Sequence, residues 1–193
     1  MGYTLSLLAL KCPDPDAALS DLKIERTGEL CVYPRAPLSG YTLPGGWYLV
    51  VGNRAAHRLL EPRVLELISR KYPVIACSIE EHVMFSSAEQ WLAGSVVWRA
   101  VHEGENGPRN LETSGTLPAS FQSIADAHVA AQEADGGDEA EVDHYFRIPL
   151  EIARSIIGFK HDEEIPGLNY SGFDLLKDLD PAQRVNRRWK FWK

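Results

Sequence analysis

The chain has 193 residues and a mass of 21.5 kDa, which fits one compact domain. Hydrophobic residues make up 45% and charged residues 24%, a composition that excludes a mostly disordered or fibrous protein. The formal net charge of −7 disfavours general binding to nucleic acid or to anionic lipid, and the apolar stretches are too short to span a membrane.

The first half of the chain alternates between predicted strands and short helices. Residues 3–10 predict a first strand and not a signal peptide, because no basic residue precedes the apolar run. A helix is expected over residues 16–25, with Gly28 as its C-terminal cap, and another over residues 60–72, which Pro73 ends. Three further strands are predicted, the last of them central in the sheet: 30–33, 47–51 and 74–79.

The second half begins with Ser87-Ala88-Glu89-Gln90, which has the form of a capping box and predicts a short helix ending at Gly94. Residues 96–103 and 111–113 then predict a β-hairpin. An amphipathic helix is expected from Pro118 to about Ala134, and another over residues 149–157 that ends at a Gly158 cap. Residues 133–143 contain six acidic residues and no basic one, which predicts a solvated, mobile loop. Periodicity is weak beyond this, apart from residues 173–179.

These elements predict an α+β fold in which helices pack on a mainly antiparallel sheet. The connections are too short for a series of parallel crossovers, which argues against a doubly wound fold. We expect a single globular domain over residues 1–193, with a boundary near residue 80 that would allow two lobes, 1–79 and 80–180. Residues 184–193 form a separate basic, aromatic tail.

Cysteine usage indicates a reducing compartment. The chain contains Cys12, Cys31 and Cys77, an odd number with no Cys-x-x-Cys pair, so a structural zinc site or a redox motif has no support. Cys31 and Cys77 lie in apolar runs, where packing is a better explanation than catalysis. We predict a cytoplasmic protein.

The six histidines do not have the spacing of a metal site, because none lies four residues from another. We therefore predict no metal and no cofactor. If the protein is an enzyme, the best residues for acid–base chemistry are Glu81, His82, His102 and His161, with Trp98 and His102 as ligand contacts. No nucleophile is specified, and no Gly-x-Ser-x-Gly motif is present.

The C-terminal tail departs from the acidic character of the chain. Residues 184–193 contain five basic residues, and aromatic side chains lie between them. Contact with nucleic acid or with a membrane surface is one explanation, through Arg187, Arg188, Trp189 and Trp192. Docking of the tail on the acidic body is the other.

Residues 81–162 carry a series of motifs: Phe85-Ser86-Ser87-Ala88, Trp91, Gly94, Trp98, His102-Glu103-Gly104, Gly115-Thr116-Leu117-Pro118, Gln132, Asp143, Phe146, Ile148-Pro149 and Gly158-Phe159-Lys160-His161-Asp162. This series resembles a widespread family of uncharacterised bacterial proteins. Genes of this family sometimes lie beside toxin or secretion genes, so the resemblance implies an immunity or adaptor role and no particular reaction.

The leading functional hypothesis is a non-enzymatic protein-binding module, specifically an immunity protein that neutralises a cognate toxin. Acidic inhibitors use charge complementarity towards basic targets, so the expected partner contacts are Asp135, Asp138, Glu139, Glu141, Asp143, Asp162 and Glu163. The alternative is an enzyme or small-ligand-binding protein with a cleft of histidine, glutamate and tryptophan. A third hypothesis is nucleic-acid or membrane-surface contact through the tail.

Overall fold

The computed structural model describes residues 2–180, which contain four α-helices and nine strands. All strand pairs are antiparallel, so the predicted α+β class is confirmed. The predicted tail, residues 184–193, lies outside the described part. The strands are β1 (Thr4–Lys11), β2 (Ile24–Cys31), β3 (Leu38–Leu43), β4 (Trp47–Gly52), β5 (Val74–Glu80), β6 (Phe85–Leu92), β7 (Ser95–Glu103), β8 (Glu112–Gly115) and β9 (Phe173–Asp178).

The strands form one sheet in the order β2-β9-β3-β4-β1-β5-β6-β7-β8. The expected division into two lobes near residue 80 is not confirmed. Strands β5 and β6 pair directly across that position, and β9 lies between β2 and β3 of the first half.

Four helices cover the two faces of this sheet: α1 (Pro15–Asp21), α2 (Pro62–Ser69), α3 (Phe121–Ala134) and α4 (Arg147–Ile157). Both faces of the sheet are apolar, because successive apolar side chains of β1 point to opposite faces. Leu7 packs in the core that includes α4, whereas Leu8 packs in the core that includes α1 and α2. In residues 2–180 no helix is long and apolar enough to cross a membrane.

Helix α4 positions the site described below. Six of its eleven residues are buried, and it lies mainly over β6. Gly158 ends it in the left-handed region, with φ of 72°, as the sequence predicts for a glycine cap. The hairpin of β7 and β8 is also confirmed, as is the buried strand β5 near the middle of the sheet.

The helix predicted after Ser87 is wrong, because these residues belong to β6. Strand β6 pairs along its length with both β5 and β7, and this pairing outweighs the local capping signal. Ser86 and Ala88 are fully buried, and the Ser86 hydroxyl donates to the carbonyl of Phe146 at 2.6 Å. The small side chains allow α4 to approach the sheet closely.

Two helix boundaries also differ from the prediction. Helix α1 ends at Asp21 with Leu22 as its cap, and Gly28 instead lies within β2, at an irregularity in its pairing with β9. Helix α2 begins at Pro62 and ends at Ser69. A separate 3₁₀ turn, Arg58–Leu60, precedes it.

Candidate functional site

The negative charge of the protein is concentrated in one part of the chain. Residues 103–143, the acidic region, contain ten acidic side chains and one basic side chain, Arg109, for a formal net charge of −9. Residues 1–102 contain ten acidic and ten basic side chains and are therefore neutral. The acidic region forms the connection from β7 to β8, the edge strand β8, helix α3 and the acidic loop, Glu133–Asp143.

Arg109 joins two parts of the acidic region. Its guanidinium forms ion pairs with Glu133 at the end of α3 and with Asp138 in the acidic loop. Gly137 beside Asp138 is buried, and its carbonyl accepts a 2.6 Å bond from the buried Gln132 amide. The prediction of a fully solvated loop is therefore corrected: the loop contains a 3₁₀ turn, Gly137–Glu139, and side chains fix it from both sides.

His102 fixes the end of the acidic loop. The imidazole is completely buried, and its Nε2 lies 2.9 Å from the Asp143 carboxylate. Its Nδ1 lies 2.6 Å from the backbone carbonyl of Asn110 in the β7–β8 connection. The Phe146 ring meets the imidazole edge-on, so His102 links β7, the connection after it and the residues that lead into α4.

Both partners of His102 are hydrogen-bond acceptors. A backbone carbonyl cannot donate, and an ionised carboxylate only accepts, so each ring nitrogen faces an acceptor. Burial alone raises the pKa of Asp143, but the hydrogen bonds from His102 and from the Phe146 backbone N–H outweigh it and hold the pKa below its usual value. The contact is therefore a buried histidine–carboxylate pair with an ionised Asp143.

Most of the predicted partner-contact carboxylates form ion pairs within the chain. Asp135 lies 2.6 Å from His144 Nε2, and Asp138 and Asp143 are held as described above. Glu139 and Glu141 have no ion pair in residues 2–180, and both are exposed. Val142 beside them is 41% exposed, so the outer surface of the loop combines free carboxylates with an apolar side chain.

Asp162 and Glu163, the other predicted partner contacts, contribute to an internal cluster. The ammonium of Lys160 is buried and lies within 3.3 Å of three carboxylates, those of Glu151, Asp162 and Glu163. Burial alone lowers the pKa of Lys160, but these carboxylates outweigh it and raise the pKa. The cluster joins α4 to the chain that follows it.

A second buried histidine–carboxylate pair lies beyond this cluster. His161 is 3% exposed, and its Nε2 lies 3.0 Å from one oxygen of Glu81, which follows β5. The other oxygen of Glu81 accepts a 2.7 Å bond from the backbone N–H of Tyr3, immediately before β1. The Tyr33 hydroxyl donates to the carbonyl of His161 at 3.1 Å.

The structure brings together only two of the residues proposed for an acid–base cleft, Glu81 and His161. His82 is exposed, and His102 is joined to Asp143 instead. Trp98 is buried, and its Nε1 donates to the Gln90 side chain at 2.8 Å. Within residues 2–180 no group of three or more histidine, cysteine, aspartate or glutamate side chains is arranged to hold a metal ion.

Cys77 is fully enclosed in the core, and burial raises the pKa of its thiol to about 12. A thiol with so high a pKa is a poor nucleophile near neutral pH. Packing is therefore the role that the structure supports for Cys77, as the sequence predicts. Cys12 is also buried, whereas Cys31 is only partly buried.

Three residues contribute to these contacts although the sequence patterns do not single out their roles: Arg109, Asn110 and Lys160. A signal for Arg109 was available, since it is the one basic residue in the acidic region. Asn110 contributes its backbone carbonyl to His102, and no side-chain pattern reports such a contact. Lys160 follows a helix cap, and nothing in its spacing indicates that it is buried.

Comparison of the chain with protein-family models, with curated proteins and with solved structures finds no match. The resemblance of residues 81–162 to an uncharacterised bacterial family therefore stays a prediction.

Proposed function

We propose that this protein is a binding module for a basic protein partner and that the acidic region is its contact surface. The observation that carries the proposal is the combination of a net charge of −9 in residues 103–143 with internal side chains that hold the acidic loop in place. A surface that is ordered before association loses less conformational entropy on binding.

The exposed residues of the acidic loop suit a partner that is basic and partly apolar. Glu139 and Glu141 remain available to pair with lysine or arginine, while Val142 offers an apolar contact between them and the next anchored residue. Complementary charge accelerates the encounter of two proteins and favours the correct partner. An immunity protein that neutralises a basic toxin is the specific form of this proposal that the family resemblance supports.

The first experiment captures the partner and then tests the loop. Tagged protein is used at low salt to purify its partner from the native host, and the partner is identified by mass spectrometry. Association is then measured for wild type and for a double variant, Glu139→Gln with Glu141→Gln. We expect the association rate of the variant to fall by about tenfold and to depend less on salt.

A matched control distinguishes the effect of charge in the acidic loop from the effect of the net charge of the protein. The double variant Glu29→Gln with Glu164→Gln changes the net charge by the same amount at exposed positions outside the acidic region. This control should bind like wild type. Equal slowing in both variants, or in neither, would remove the acidic loop from the interface.

If the protein is an immunity protein, the captured partner should be toxic on its own. Expression of the partner alone should arrest bacterial growth, and co-expression with this protein should restore it. Restoration should be weaker with the Glu139 and Glu141 double variant than with the control variant. A partner that is harmless when expressed alone would leave a binding module but contradict the immunity role.

A further inference from the structure

The two edge strands of the sheet differ in what they expose. Within residues 2–180 only β7 pairs with β8 and only β9 pairs with β2, so each strand has one open edge. Strand β8 is short, and its exposed residues are polar apart from a glycine. Strand β2 is twice as long, and its Leu30 is 66% exposed, more than any other large apolar side chain of the described residues. An open edge with an exposed apolar side chain is a place where another strand can pair.

The chain leaves the described part beside the start of this open edge. After β9, the backbone N–H of Leu179 donates to the carbonyl of Lys23 at 2.9 Å, and β2 begins at the next residue. The backbone N–H of Asp180 then donates to the Asp178 carboxylate at 3.0 Å, which forms an Asx turn and changes the direction of the chain. Residues 181–193 therefore begin at the end of the sheet where β2 begins.

The distance from β9 to the open edge of β2 is short. Neighbouring strands lie about 4.8 Å apart, so a strand added beyond β2 would lie about 10 Å from β9. Residues 180–183 can span about 13 Å when extended. Residues 184–193 would then run in the same direction as β2, because β2 and β9 are antiparallel.

Residues 184–193 have the sequence alternation of a strand with one apolar face. Apolar residues occupy one set of alternating positions, and basic residues occupy the other. The apolar set is Val185, Trp189 and Phe191, and the basic set is Arg184, Arg188 and Lys190. The exceptions are Arg187, Trp192 and Lys193.

The two faces of β2 match this alternation. Leu30 and Val32, just after the strand, share one face, and both are exposed. Glu25 and Glu29 occupy the other face and are also exposed. The irregularity around Gly28 adds two residues to β2 relative to β9, so it leaves the alternation of faces unchanged. An added strand would place apolar side chains beside Leu30 and basic side chains beside the two carboxylates.

We propose that residues 184–193 pair with the open edge of β2 as an additional parallel strand, in which Trp189 and Phe191 cover Leu30. Three features support this occupant: the place where the chain leaves β9, the length of chain that follows, and the match of apolar and charged faces. The contact lies at the opposite end of the sheet from β8 and the acidic region, so it is independent of the proposed partner contact.

Photochemical cross-linking in the full-length protein locates the segment. Trp189 is replaced by p-benzoylphenylalanine, and the irradiated monomer is digested and analysed by mass spectrometry. We expect cross-links to the peptide that contains Leu30 and Val32, with a yield that does not depend on protein concentration. Cross-links that join only the acidic region, or only two copies of the chain, would overturn the proposal.

Hydrogen exchange tests whether the backbone of β2 is paired on its open side. In wild type, amides of β2 that do not bond to β9 should exchange at least about tenfold more slowly than unprotected amides, the factor that corresponds to one hydrogen bond. Exchange at the unprotected rate would contradict the additional strand.

Two matched variants identify the face that makes the contact. Trp189→Ser removes an aromatic ring from the apolar face and should increase exchange of the β2 amides by about tenfold. Trp192→Ser is the same substitution on the other face, and its β2 amides should exchange like those of wild type. Both changes lie outside residues 2–180, which contain the whole described sheet. Equal effects of the two variants would also overturn the proposal.

Discussion

The two ends of α4 are each joined to the sheet by a buried histidine and a carboxylate, but the two pairs are completed differently. Before the helix, Asp143 meets His102, whose second nitrogen is bonded to the Asn110 carbonyl. After the helix, His161 meets Glu81, and its second nitrogen has no hydrogen-bond partner in residues 2–180.

This difference separates a fixed contact, in which both ring nitrogens are bonded, from a half-bonded one. Each ring nitrogen of His102 has a hydrogen-bond partner, so the ring is held from both sides. Only one nitrogen of the His161 ring has such a partner within residues 2–180. Similar residue types in similar burial therefore serve different purposes because of one backbone carbonyl.

The largest expected effect comes from breaking the fixed pair. His102→Ala leaves the Asp143 carboxylate, whose side chain is only 14% exposed, without its buried hydrogen-bond partner. We expect the free energy of unfolding, measured by urea denaturation, to fall by about 3 to 5 kcal/mol. His82→Ala is the matched control, because that imidazole is exposed and its loss should change stability by less than about 0.5 kcal/mol. Similar losses for the two variants would contradict the assignment.

A third buried histidine sharpens the comparison, because His57 forms no hydrogen bond or ion pair with a carboxylate in residues 2–180. Its Nδ1 accepts the backbone N–H of Leu59 at 3.3 Å, and burial, with Arg54 and Arg58 nearby, lowers its pKa to about 4. The unfolded chain therefore takes up this proton first as the pH falls from 6.5 to about 4, and the folded state loses stability over that window.

Wild type should lose about 3 kcal/mol of unfolding free energy to His57 across this window. His57→Asn retains an acceptor near the position of Nδ1 but does not titrate. Urea denaturation at several pH values should therefore give a flatter profile for the variant than for wild type. Parallel profiles would show that another group is responsible.

The next effect concerns the carboxylate of the fixed pair. Asp143→Asn keeps the shape but removes the charge that faces His102, so we expect a loss of about 1 to 3 kcal/mol at neutral pH. The pKa of Asp143 lies below the usual value for an aspartate, so its stabilising effect is fully present above that usual value. The effect disappears as the pH falls through the lower pKa of the folded state.

Urea denaturation of wild type and of the Asp143→Asn variant at several pH values below about 4 tests this expected pH dependence. Wild type and the Asp143→Asn variant should become equally stable in acid. A difference that persists there would mean that the asparagine disturbs packing instead of charge.

The smallest expected effect is at the half-bonded pair. Glu81→Gln retains an acceptor for the Tyr3 backbone N–H, and the Glu81 side chain is more exposed than that of Asp143, at 23% against 14%. We expect a loss of about 1 kcal/mol in unfolding free energy. A loss as large as that of His102→Ala would mean that the two ends of α4 are equally fixed.

Local patterns in the sequence predict much of the fold. The alternation in β1, the apolar run of β5, the hairpin of β7 and β8 and the glycine that ends α4 are all readable within short windows. The same windows fail for β6, because Ser87 and Gln90 fit a capping box as well as a strand. Only pairing with β5 and β7, which lies outside the window, decides between them.

The candidate site is less readable, because its contacts join residues far apart in the chain. The types of residue were predicted, since His102, Asp143, His161 and Glu81 were all singled out. Which histidine meets which carboxylate depends on how α4 lies across β6, and no spacing in the sequence contains that information. The contact between His102 and the Asn110 carbonyl cannot be predicted from residue types at all, because every residue has a backbone carbonyl.

The position of β9 has a consequence for the order in which the protein is synthesised. Strand β2 is complete after residue 31, yet its strand partner is β9, residues 173–178. The Tyr48 hydroxyl of β4 lies against Gly40, where any larger residue would clash with it. This hydroxyl donates to Asp174 of β9, so its acceptor is also synthesised late. A chain emerging from the ribosome therefore keeps one end of its sheet open until almost the whole described sequence has been made.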